Sequence, residues 1–215
     1  MRVYTIVGGV NGAGKSSLAG VLRAERNDLG IIIDVDKIAL ENQGDNYKAA
    51  RIAISKINYF IERGITFTQE TTLSGHMVEH TIQKAKKADY DIHLFYVGLA
   101  SAEESIRRIK NRVEKGGHNI PVEDVLRRYK NRFDDLVRIL PYCDEVKFYD
   151  NENRFDNVAE YRNGEIILKS DYKPQWLNEL QEQLNQNENL ILDQGMQLLW
   201  FTCAPNGALF LFLDK

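Results

Sequence analysis

The stretch Gly9-Val10-Asn11-Gly12-Ala13-Gly14-Lys15-Ser16 fits the spacing G-x-x-x-x-G-K-[ST] at every defined position. It follows an apolar, β-branched run at residues 3–7 and precedes residues 17–22, which favour a helix. A strand, a glycine-rich loop and a helix form the context in which this pattern binds nucleotide phosphates. The sequence therefore predicts a nucleoside triphosphate site here, and a plain strand-to-helix turn is the alternative.

Each residue type in this loop has a chemical reason. Glycines let the backbone turn tightly and present its N–H groups to phosphate, and the following helix directs its positive end to the same anion. Lys15 can reach the β- and γ-phosphates, and the Ser16 hydroxyl suits Mg²⁺, which takes few protein oxygens beside phosphates and water. The predicted nucleotide-binding residues are Gly9, Asn11, Gly12, Ala13, Gly14, Lys15, Ser16 and Ser17.

Length and composition indicate one domain with an appendage. The chain has 215 residues, of which 43% are hydrophobic, so it can bury a sizeable core. We place the main domain at residues 1–173 and a C-terminal helix with a hydrophobic tail at residues 174–215. The net charge is −3 with acids and bases interspersed, which indicates no nucleic-acid partner.

The N-terminus and the cysteines favour a cytoplasmic location. Met1-Arg2 leads directly into the first strand, without the regions typical of a signal peptide. Cys143 and Cys203 lack metal-ligand spacing and are too few for a disulfide framework, so buried thiols are expected. The turn Pro205-Asn206-Gly207 interrupts the hydrophobic tail and argues against a membrane helix.

Two carboxylates end the second predicted strand. Residues 31–36 form a continuous apolar run that finishes in Asp34 and Asp36, which predicts a buried strand. Residues just past such a strand face the ligand crevice of a parallel sheet. Asp36 is the better candidate for a general base, and Asp34 for supporting Mg²⁺ through water; capping a following helix is open for both.

The third predicted strand, residues 65–70, follows an amphipathic helix over residues 45–63 and also ends in an acid. Glu70 and Thr71 are therefore expected on the same rim as Asp36, where they suit hydrogen bonding to a polyhydroxylated substrate. A capping or solvent role is the alternative for Glu70. The following Ser74 is expected to cap a helix over residues 76–88, and His93 to be an ordinary residue of a strand over residues 91–99.

Basic helices fill residues 101–140. Arg108 and Arg112 lie one turn apart, a glycine-containing break follows, and a second helix from Pro121 carries Arg127, Arg128 and Arg132. With the phosphate loop present, this pattern predicts a lid whose arginines neutralise the transferring phosphoryl group, with Arg112 and Arg128 preferred and Arg132 next. A solvated charged face is the alternative.

The remaining pattern completes the sheet. Residues 145–149 predict a fifth strand, followed by a polar loop at residues 150–153 on the nucleotide rim. A β-hairpin is predicted at about residues 155–169, around the turn signal Asn163-Gly164, as an edge addition. Helical spacing follows over residues 174–184, and residues 190–215 are expected to form a hairpin or a segment that packs on a partner chain.

Four segments together resemble the zeta-toxin-like P-loop kinase family, in its ATPase or kinase branch. They are the phosphate loop, Asp36, Gln69-Glu70-Thr71-Thr72-Leu73-Ser74-Gly75, and Arg112-Val113 with Gly116-Gly117-His118-Asn119-Ile120-Pro121 and Arg127-Arg128-Tyr129. The resemblance covers about residues 3–173. It implies a kinase-type α/β/α sandwich. With the strands, basic helices and turn described above, the predicted fold is a three-layer α/β/α sandwich with a mainly parallel five-stranded sheet, a helical lid and a C-terminal β-hairpin.

The same resemblance implies site roles. The family includes toxins that phosphorylate UDP-N-acetylglucosamine, with an aspartate base matched by Asp36 and a substrate-contacting glutamate matched by Glu70. His118 is either a phosphate- or substrate-orienting residue or a hinge residue. The loop around Gly116-Gly117-His118 departs from the toxin pattern, so the acceptor stays open.

The sequence thus predicts a Mg²⁺-dependent kinase that uses ATP or GTP and phosphorylates a hydroxyl of a small molecule. Lys15, Asp36, Arg112 and Arg128 are the predicted catalytic residues; Asp36, Glu70, Thr71 and His118 are the predicted substrate contacts; Ser16 is the predicted Mg²⁺ ligand. A nucleotide switch or ATPase, a polynucleotide 5′-hydroxyl kinase and an antitoxin-controlled toxin are the alternatives.

Overall fold

The structure, a computed structural model, describes residues 1–117, 119–152 and 155–187. Fifteen elements follow one another up to residue 168, and a last helix, α8, covers residues 175–187. In chain order they are β1 (Arg2–Gly8), α1 (Lys15–Glu25), β2 (Ile31–Asp34), α2 (Val35–Glu41), α3 (Asn46–Arg63), β3 (Phe67–Thr71), α4 (Met77–Lys87), β4 (Tyr90–Gly98), α5 (Ala102–Glu114), α6 (Val122–Lys130), α7 (Arg132–Ile139), a 3₁₀ turn (Leu140–Tyr142), β5 (Glu145–Asp150), β6 (Asp156–Arg162) and β7 (Glu165–Leu168).

The strands form one seven-stranded sheet in the order β2-β3-β1-β4-β5-β6-β7. The first five strands in that order are parallel, and β6 and β7 add an antiparallel hairpin at the edge. The predicted five-stranded parallel sheet is confirmed, and the hairpin extends it to seven. Its turn is Asn163-Gly164, both at positive φ (52° and 90°), the backbone that a two-residue type I′ turn needs.

Alternate residues of the central strands face two separate hydrophobic layers. On β1, Tyr4 and Ile6 join the larger layer with α3, α4 and α7, whereas Val7 joins the layer of α1. Both layers exclude water from side chains that a parallel sheet buries on its two faces. This arrangement is the predicted three-layer α/β/α sandwich. No helix in the described ranges is long and apolar enough to cross a membrane.

The second strand differs from its prediction. It ends at Asp34 rather than Asp36, and it lies at the edge of the sheet with Ile31 51% exposed. The helix α2 begins directly afterwards because the Asp34 side chain accepts a hydrogen bond from Lys37 N at 3.2 Å, which caps the helix. Capping, left open for both acids, is thus the structural role of Asp34.

Two further helix predictions are corrected. Ser74 does not cap α4: the cap position is His76, and Ser74 instead accepts a hydrogen bond from Thr72. The predicted second lid helix is two helices, α6 and α7, separated at Asn131. At this break the Arg132 guanidinium turns back over the rings of Tyr129 and Phe133, at 3.9 and 4.1 Å.

The last helix packs into the main core. Trp176, Leu177, Leu180 and Leu184 are buried in the same hydrophobic layer as the sheet residues Tyr96 and Phe148. The Trp176 indole also donates a hydrogen bond to Asp150 Oδ1 at the end of β5, at 2.7 Å. The predicted tail at residues 190–215, with Cys203, lies outside the described residues. The other cysteine, Cys143, is half-buried, and burial raises the pKa of its thiol to about 12.

His93 is a residue of β4, as predicted. It is buried in β4, and its Nδ1 lies 3.3 Å from Arg26 Nη2, 3.4 Å from Glu145 Oε2 and 3.7 Å from Asp28 Oδ2. The pKa of His93 is lowered, and the main cause is burial of the ring. Burial thus favours the neutral form of the ring in the folded protein.

We expect this histidine to make the fold sensitive to acid. Below about pH 6.5 the unfolded chain binds a proton at His93 that the folded chain resists, so stability falls as the pH falls; above that value the residue has no effect. Urea denaturation from pH 7.5 to 5 should show a smaller loss for His93→Gln than for wild type. The exposed His80→Gln variant is the control, and an equal loss in His93→Gln would contradict the expectation.

Candidate functional site

A cleft of about 690 Å³ opens at the carboxyl ends of β1, β3 and β2. Its wall combines the phosphate loop, the strand ends and the first two lid helices. The lining residues used below are Asn11, Gly12, Gly14, Lys15, Ser16, Ser17, Asp34, Asp36, Glu70, Thr71, Arg108, Arg112, Asn119, Ile120, Pro121, Asp124 and Arg128. Most residues predicted from the sequence to form a site thus meet in one place.

The phosphate loop has the backbone that its glycines predict. Gly14 precedes α1 at φ 103°, and no side chain among the described residues caps that helix, so its first N–H groups point into the cleft. A Cβ on Gly9, at φ 146°, would lie 2.5 Å from the Val97 carbonyl oxygen. Gly9 and the fully buried Ala13 do not line the cleft; they shape the loop from behind.

Lys15 is held by the loop itself. Its Nζ donates hydrogen bonds to the carbonyl oxygens of Gly9 and Val10, both at 3.0 Å. Burial lowers its pKa to about 8, and the carboxylates of Asp36 and Glu70 partly oppose this shift. A bound phosphate would supply the close anion that favours the charged ammonium.

Glu70 lies beside Ser16. The Ser16 hydroxyl donates a hydrogen bond to Glu70 Oε2 at 2.6 Å. Burial raises the pKa of Glu70, and the bond from Ser16 opposes that shift. The strand register places Glu70 at this edge of the sheet, because Glu70 pairs with Val7 on one side and with Asp34 on the other. Glu70 therefore sits next to the predicted metal ligand rather than far out over the acceptor space.

The Ser16 hydroxyl and the Glu70 carboxylate are oxygen groups of the type that can bind Mg²⁺. The described residues contain no group of three or more His, Cys, Asp or Glu side chains that could hold a metal. Mg²⁺ differs from other metals in that one or two protein oxygens suffice when phosphates and water complete its shell. Ser16 and Glu70 are the residues that could provide those oxygens here.

Asp36 faces the lid from the first turn of α2. Its side chain is 55% exposed, and its Oδ2 lies 3.8 Å from Arg112 Nη1. From the sequence, Asp36 was expected at the end of the second strand; in the structure it is helical because α2 starts immediately after Asp34. Asp36 still opens into the cleft, and its charge acts on Lys15.

The lid arginines divide into two groups. Arg112 and Arg128 both line the cleft, and Arg128 Nη1 donates to the Asn11 side-chain oxygen at 3.0 Å. Arg132, the next choice from sequence, lies elsewhere: its guanidinium donates to Tyr129 O and to Glu179 in α8. The apolar rings beneath it account for this placement, since arginine stacks well on aromatic faces.

Arg108 lines the cleft and Asn151 contacts the phosphate loop, and neither was predicted as a site residue. Arg108 reaches the carbonyl oxygens of Gly12 at 3.5 Å and Asn151 at 3.3 Å, and Asn151 Nδ2 donates to Ala13 O at 2.7 Å. The buried Ser105 hydroxyl adds a bond to Asn11 O at 2.5 Å. The spacing of Arg108 and Arg112 and the polar loop after β5 were the available signals.

Two predicted substrate contacts remain. Thr71 lines the cleft, and its hydroxyl accepts a hydrogen bond from Leu73 N at 3.1 Å. His118 lies outside the described residues. Its neighbours Asn119, Ile120 and Pro121 form part of the cleft wall.

A glycine-rich phosphate loop between the first strand and helix of a parallel sheet, facing acids from the neighbouring strands, defines a P-loop protein of the kinase fold. The Zeta toxin family model matches residues 43–163, more than half of the chain. The chain therefore belongs to the Zeta toxin family, as the sequence motifs predicted.

A relative and two solved structures are also similar to this chain. An uncharacterized protein of Haemophilus influenzae is 36% identical over 126 residues, which cover 56% of this chain and 88% of the relative. The structure of the PezAT toxin–antitoxin system of Streptococcus pneumoniae matches with a TM-score of 0.60 at 18% identity, over 90% of this chain and 88% of that one.

A complex of AvrRxo1-ORF1 and AvrRxo1-ORF2 with ATP matches with a TM-score of 0.59 at 16% identity, over 86% of this chain. The chain spans 63% of the AvrRxo1 chain. At these identities the two structural likenesses show the fold. They agree with the P-loop kinase architecture.

Proposed function

We propose that this protein transfers the γ-phosphoryl group of ATP or GTP to a hydroxyl of a small molecule. The observation that carries the proposal is the placement of Lys15 and Ser16 opposite Asp36 within one cleft. A phosphate cradle alone fits a switch or an ATPase. A carboxylate across the cleft from the cradle adds a proton acceptor for a substrate hydroxyl.

In the proposed reaction the acceptor oxygen attacks the γ-phosphorus while its proton passes to the Asp36 carboxylate. The new oxygen–phosphorus bond forms as the bond from phosphorus to the β,γ-bridging oxygen breaks, and the nucleoside diphosphate leaves with that electron pair. Lys15, Arg112 and Arg128 stabilise the charge on the phosphoryl oxygens. The family membership supports this assignment of a phosphotransferase.

Mg²⁺, when bound, would neutralise charge on the β- and γ-phosphates. Ser16 would hold it directly, and Glu70, which already accepts a hydrogen bond from Ser16 at 2.6 Å, would orient that hydroxyl or share the ion. Glu70 in this role is a positioning residue. Thr71 and Asn119 are left to contact the acceptor.

The direct test uses the full chain, Mg²⁺, γ-labelled ATP and a bacterial metabolite extract. We expect label in a small organic product, identified by mass spectrometry, together with ADP. Release of inorganic phosphate without any labelled product would favour the ATPase or switch. Label on RNA or DNA 5′ ends, with binding that weakens steeply as salt rises, would favour the polynucleotide kinase.

Removing the Ser16 hydroxyl should weaken metal use. We expect Ser16→Ala to raise the Mg²⁺ concentration for half-maximal turnover by about tenfold or more, because an ion held by few protein oxygens loses one of them. Steady-state turnover measured against Mg²⁺ concentration gives this value. Ser170→Ala, an exposed change outside the cleft, is the control, and an unchanged Mg²⁺ requirement in Ser16→Ala would remove the metal role.

An antitoxin is the proposed protein partner. The support is the fold shared with the PezAT toxin–antitoxin system. If this chain acts as a toxin, its expression alone arrests bacterial growth, and the Asp36→Asn variant expressed at the same level does not. Normal growth with active wild-type enzyme would separate the kinase from toxicity.

A further inference from the structure

Every carbonyl oxygen from residue 9 to residue 14 of the phosphate loop accepts a hydrogen bond. The bonds run from Lys15 Nζ to Gly9 O and Val10 O, from Ser105 Oγ to Asn11 O, from Arg108 Nη1 to Gly12 O, from Asn151 Nδ2 to Ala13 O and from Leu18 N to Gly14 O. Ser105, Arg108 and Asn151 lie outside the loop and its helix. The loop is therefore held by α5 and by the segment after β5, and not only by its own residues.

The contact from α5 fixes one N–H group of the loop. In a planar trans peptide the C=O of one residue and the N–H of the next point in opposite directions. The 2.5 Å bond from the buried Ser105 hydroxyl to Asn11 O therefore sets the direction of the Gly12 N–H, and Gly12 lines the cleft. A Cβ on Gly12 would lie 3.0 Å from the Ser105 carbonyl oxygen, so α5 packs directly on the loop here.

The segment after β5 acts in the same way one peptide further on. The 2.7 Å bond from Asn151 to Ala13 O sets the direction of the Gly14 N–H, and Gly14 also lines the cleft. A Cβ on Gly14 would collide with the Asn151 amide, so this approach requires glycine. The preceding Asp150 is buried and accepts the hydrogen bond of the Trp176 indole, which ties this segment to α8.

These two bonds favour one orientation of each peptide group. A rotated peptide would present its carbonyl oxygen to the cleft, where the carbonyl dipole would repel a phosphate. The donor on the far side of the loop opposes that rotation, because a buried carbonyl oxygen without a donor is unfavourable. A loop ordered in advance also loses less conformational freedom when it binds phosphate.

We propose that Ser105 and Asn151 are positioning residues that hold the phosphate loop in its phosphate-binding form before a nucleotide binds. The inference rests on the proposed function, since it takes this loop as the nucleoside triphosphate site. Both residues act through the loop backbone and need no contact with the nucleotide. Their effect is therefore on the affinity for the phosphates, with or without a nucleoside attached.

The test compares ATP with inorganic tripolyphosphate, which lacks the nucleoside. Each ligand is titrated into the full chain with Mg²⁺ at one fixed ionic strength, and its dissociation constant is measured. Ser105→Ala and Asn151→Ala should each weaken the binding of both ligands by about tenfold, because each variant removes one buried hydrogen bond that orders the loop. An equal loss for the two ligands is the expected signature of a role exerted through the loop.

Thr81→Val and Asn58→Ala are the matched controls. The buried Thr81 hydroxyl bonds Met77 O within α4, and the Asn58 side chain accepts a bond from Lys84. Thr81 and Asn58 both lie outside the cleft lining. Both controls lose a side-chain hydrogen bond of the same kind, and both should bind the two ligands with wild-type affinity.

The possible outcomes separate this inference from the proposed function. Wild-type affinity for both ligands in Ser105→Ala and Asn151→Ala overturns the inference and leaves the proposed function intact. A loss for ATP alone would identify a nucleoside contact and overturn the positioning role of that residue. If the wild-type chain binds neither ligand, the proposed function itself fails. The two variants act on different peptides, so either one tests the proposal if the other does not fold.

Discussion

Asp36→Asn is expected to slow phosphoryl transfer by a factor of about 10² to 10⁴, because the variant keeps the shape of the side chain and loses the proton acceptor. A neutral amide at this position cannot take the proton of the acceptor hydroxyl. Nucleotide affinity should stay close to that of wild type, because the Asp36 side chain makes no hydrogen bond to the phosphate loop among the described contacts. Single-turnover transfer and equilibrium binding of ATP measure the two effects separately.

The control for this prediction is Glu41→Gln. Glu41 is an exposed acid at the other end of the same helix and does not line the cleft, so the variant loses an equal charge without touching the site. Its turnover should match wild type. If Asp36→Asn also turned over at the wild-type rate, another group would have to accept the proton, and Asp36 would lose the role of general base.

Trp176→Ala should destabilise the fold by about 3–5 kcal/mol, the usual cost of removing a large buried aromatic side chain. The indole is 1% exposed, and it lies within 6.5 Å of the Tyr96 and Phe148 rings, measured between ring centroids. Its loss leaves a cavity in the main core and removes the hydrogen bond to Asp150. Chemical denaturation followed by circular dichroism gives the free energy of unfolding.

Two further variants sharpen this test. Trp176→Phe keeps most of the packing but leaves Asp150 Oδ1 without its donor, and a smaller loss of about 1–3 kcal/mol is expected. Tyr172→Ala, at a position 44% exposed, should change stability by about 0.5 kcal/mol or less. A cost below about 1 kcal/mol for Trp176→Ala would mean that α8 is not part of the cooperative core.

These results would also decide where the domain ends. From sequence we divided the chain at residue 173, because the helix after it looked like an appendage. We now propose that α8 folds with the main domain, since Trp176 and Leu180 lie in the same hydrophobic layer as the sheet. Helical spacing showed which face of α8 is apolar; it contained no information on which surface that face would cover.

The central sheet and the phosphate loop were predictable because their signals are local. The β-branched run before Gly9 and the glycine spacing fix a strand, a turn and a helix without help from the rest of the chain. The Asn163-Gly164 turn was equally clear. The position of Glu70 at the same edge as the acids after Ile33 also follows from local signals, because the carboxyl ends of parallel strands meet at one edge; the register that pairs Glu70 with Asp34 comes from the structure.

The lid residues were harder to predict from sequence, because tertiary contacts decide where each arginine side chain lies. Arg112, Arg128 and Arg132 look alike in sequence, yet two line the cleft and the third stacks on Tyr129 and Phe133. Arg108 pairs with Glu104 on its own helix at 2.6 Å, and its two contacts near the phosphate loop are to backbone oxygens, which no residue pattern identifies. Asp36 was expected at the end of β2 and lies in α2, because the Asp34 cap starts the helix at Val35.

The hydrogen bond from the Ser105 hydroxyl to the Asn11 carbonyl oxygen connects α5 to the phosphate loop. Ser105 is fully buried, so swinging α5 as a whole would break this bond and expose its partner. We therefore propose that any opening of the cleft involves the backbone at Gly116 and Gly117 rather than movement of α5, so substitution of Gly116 should change product-release rates without disturbing α5.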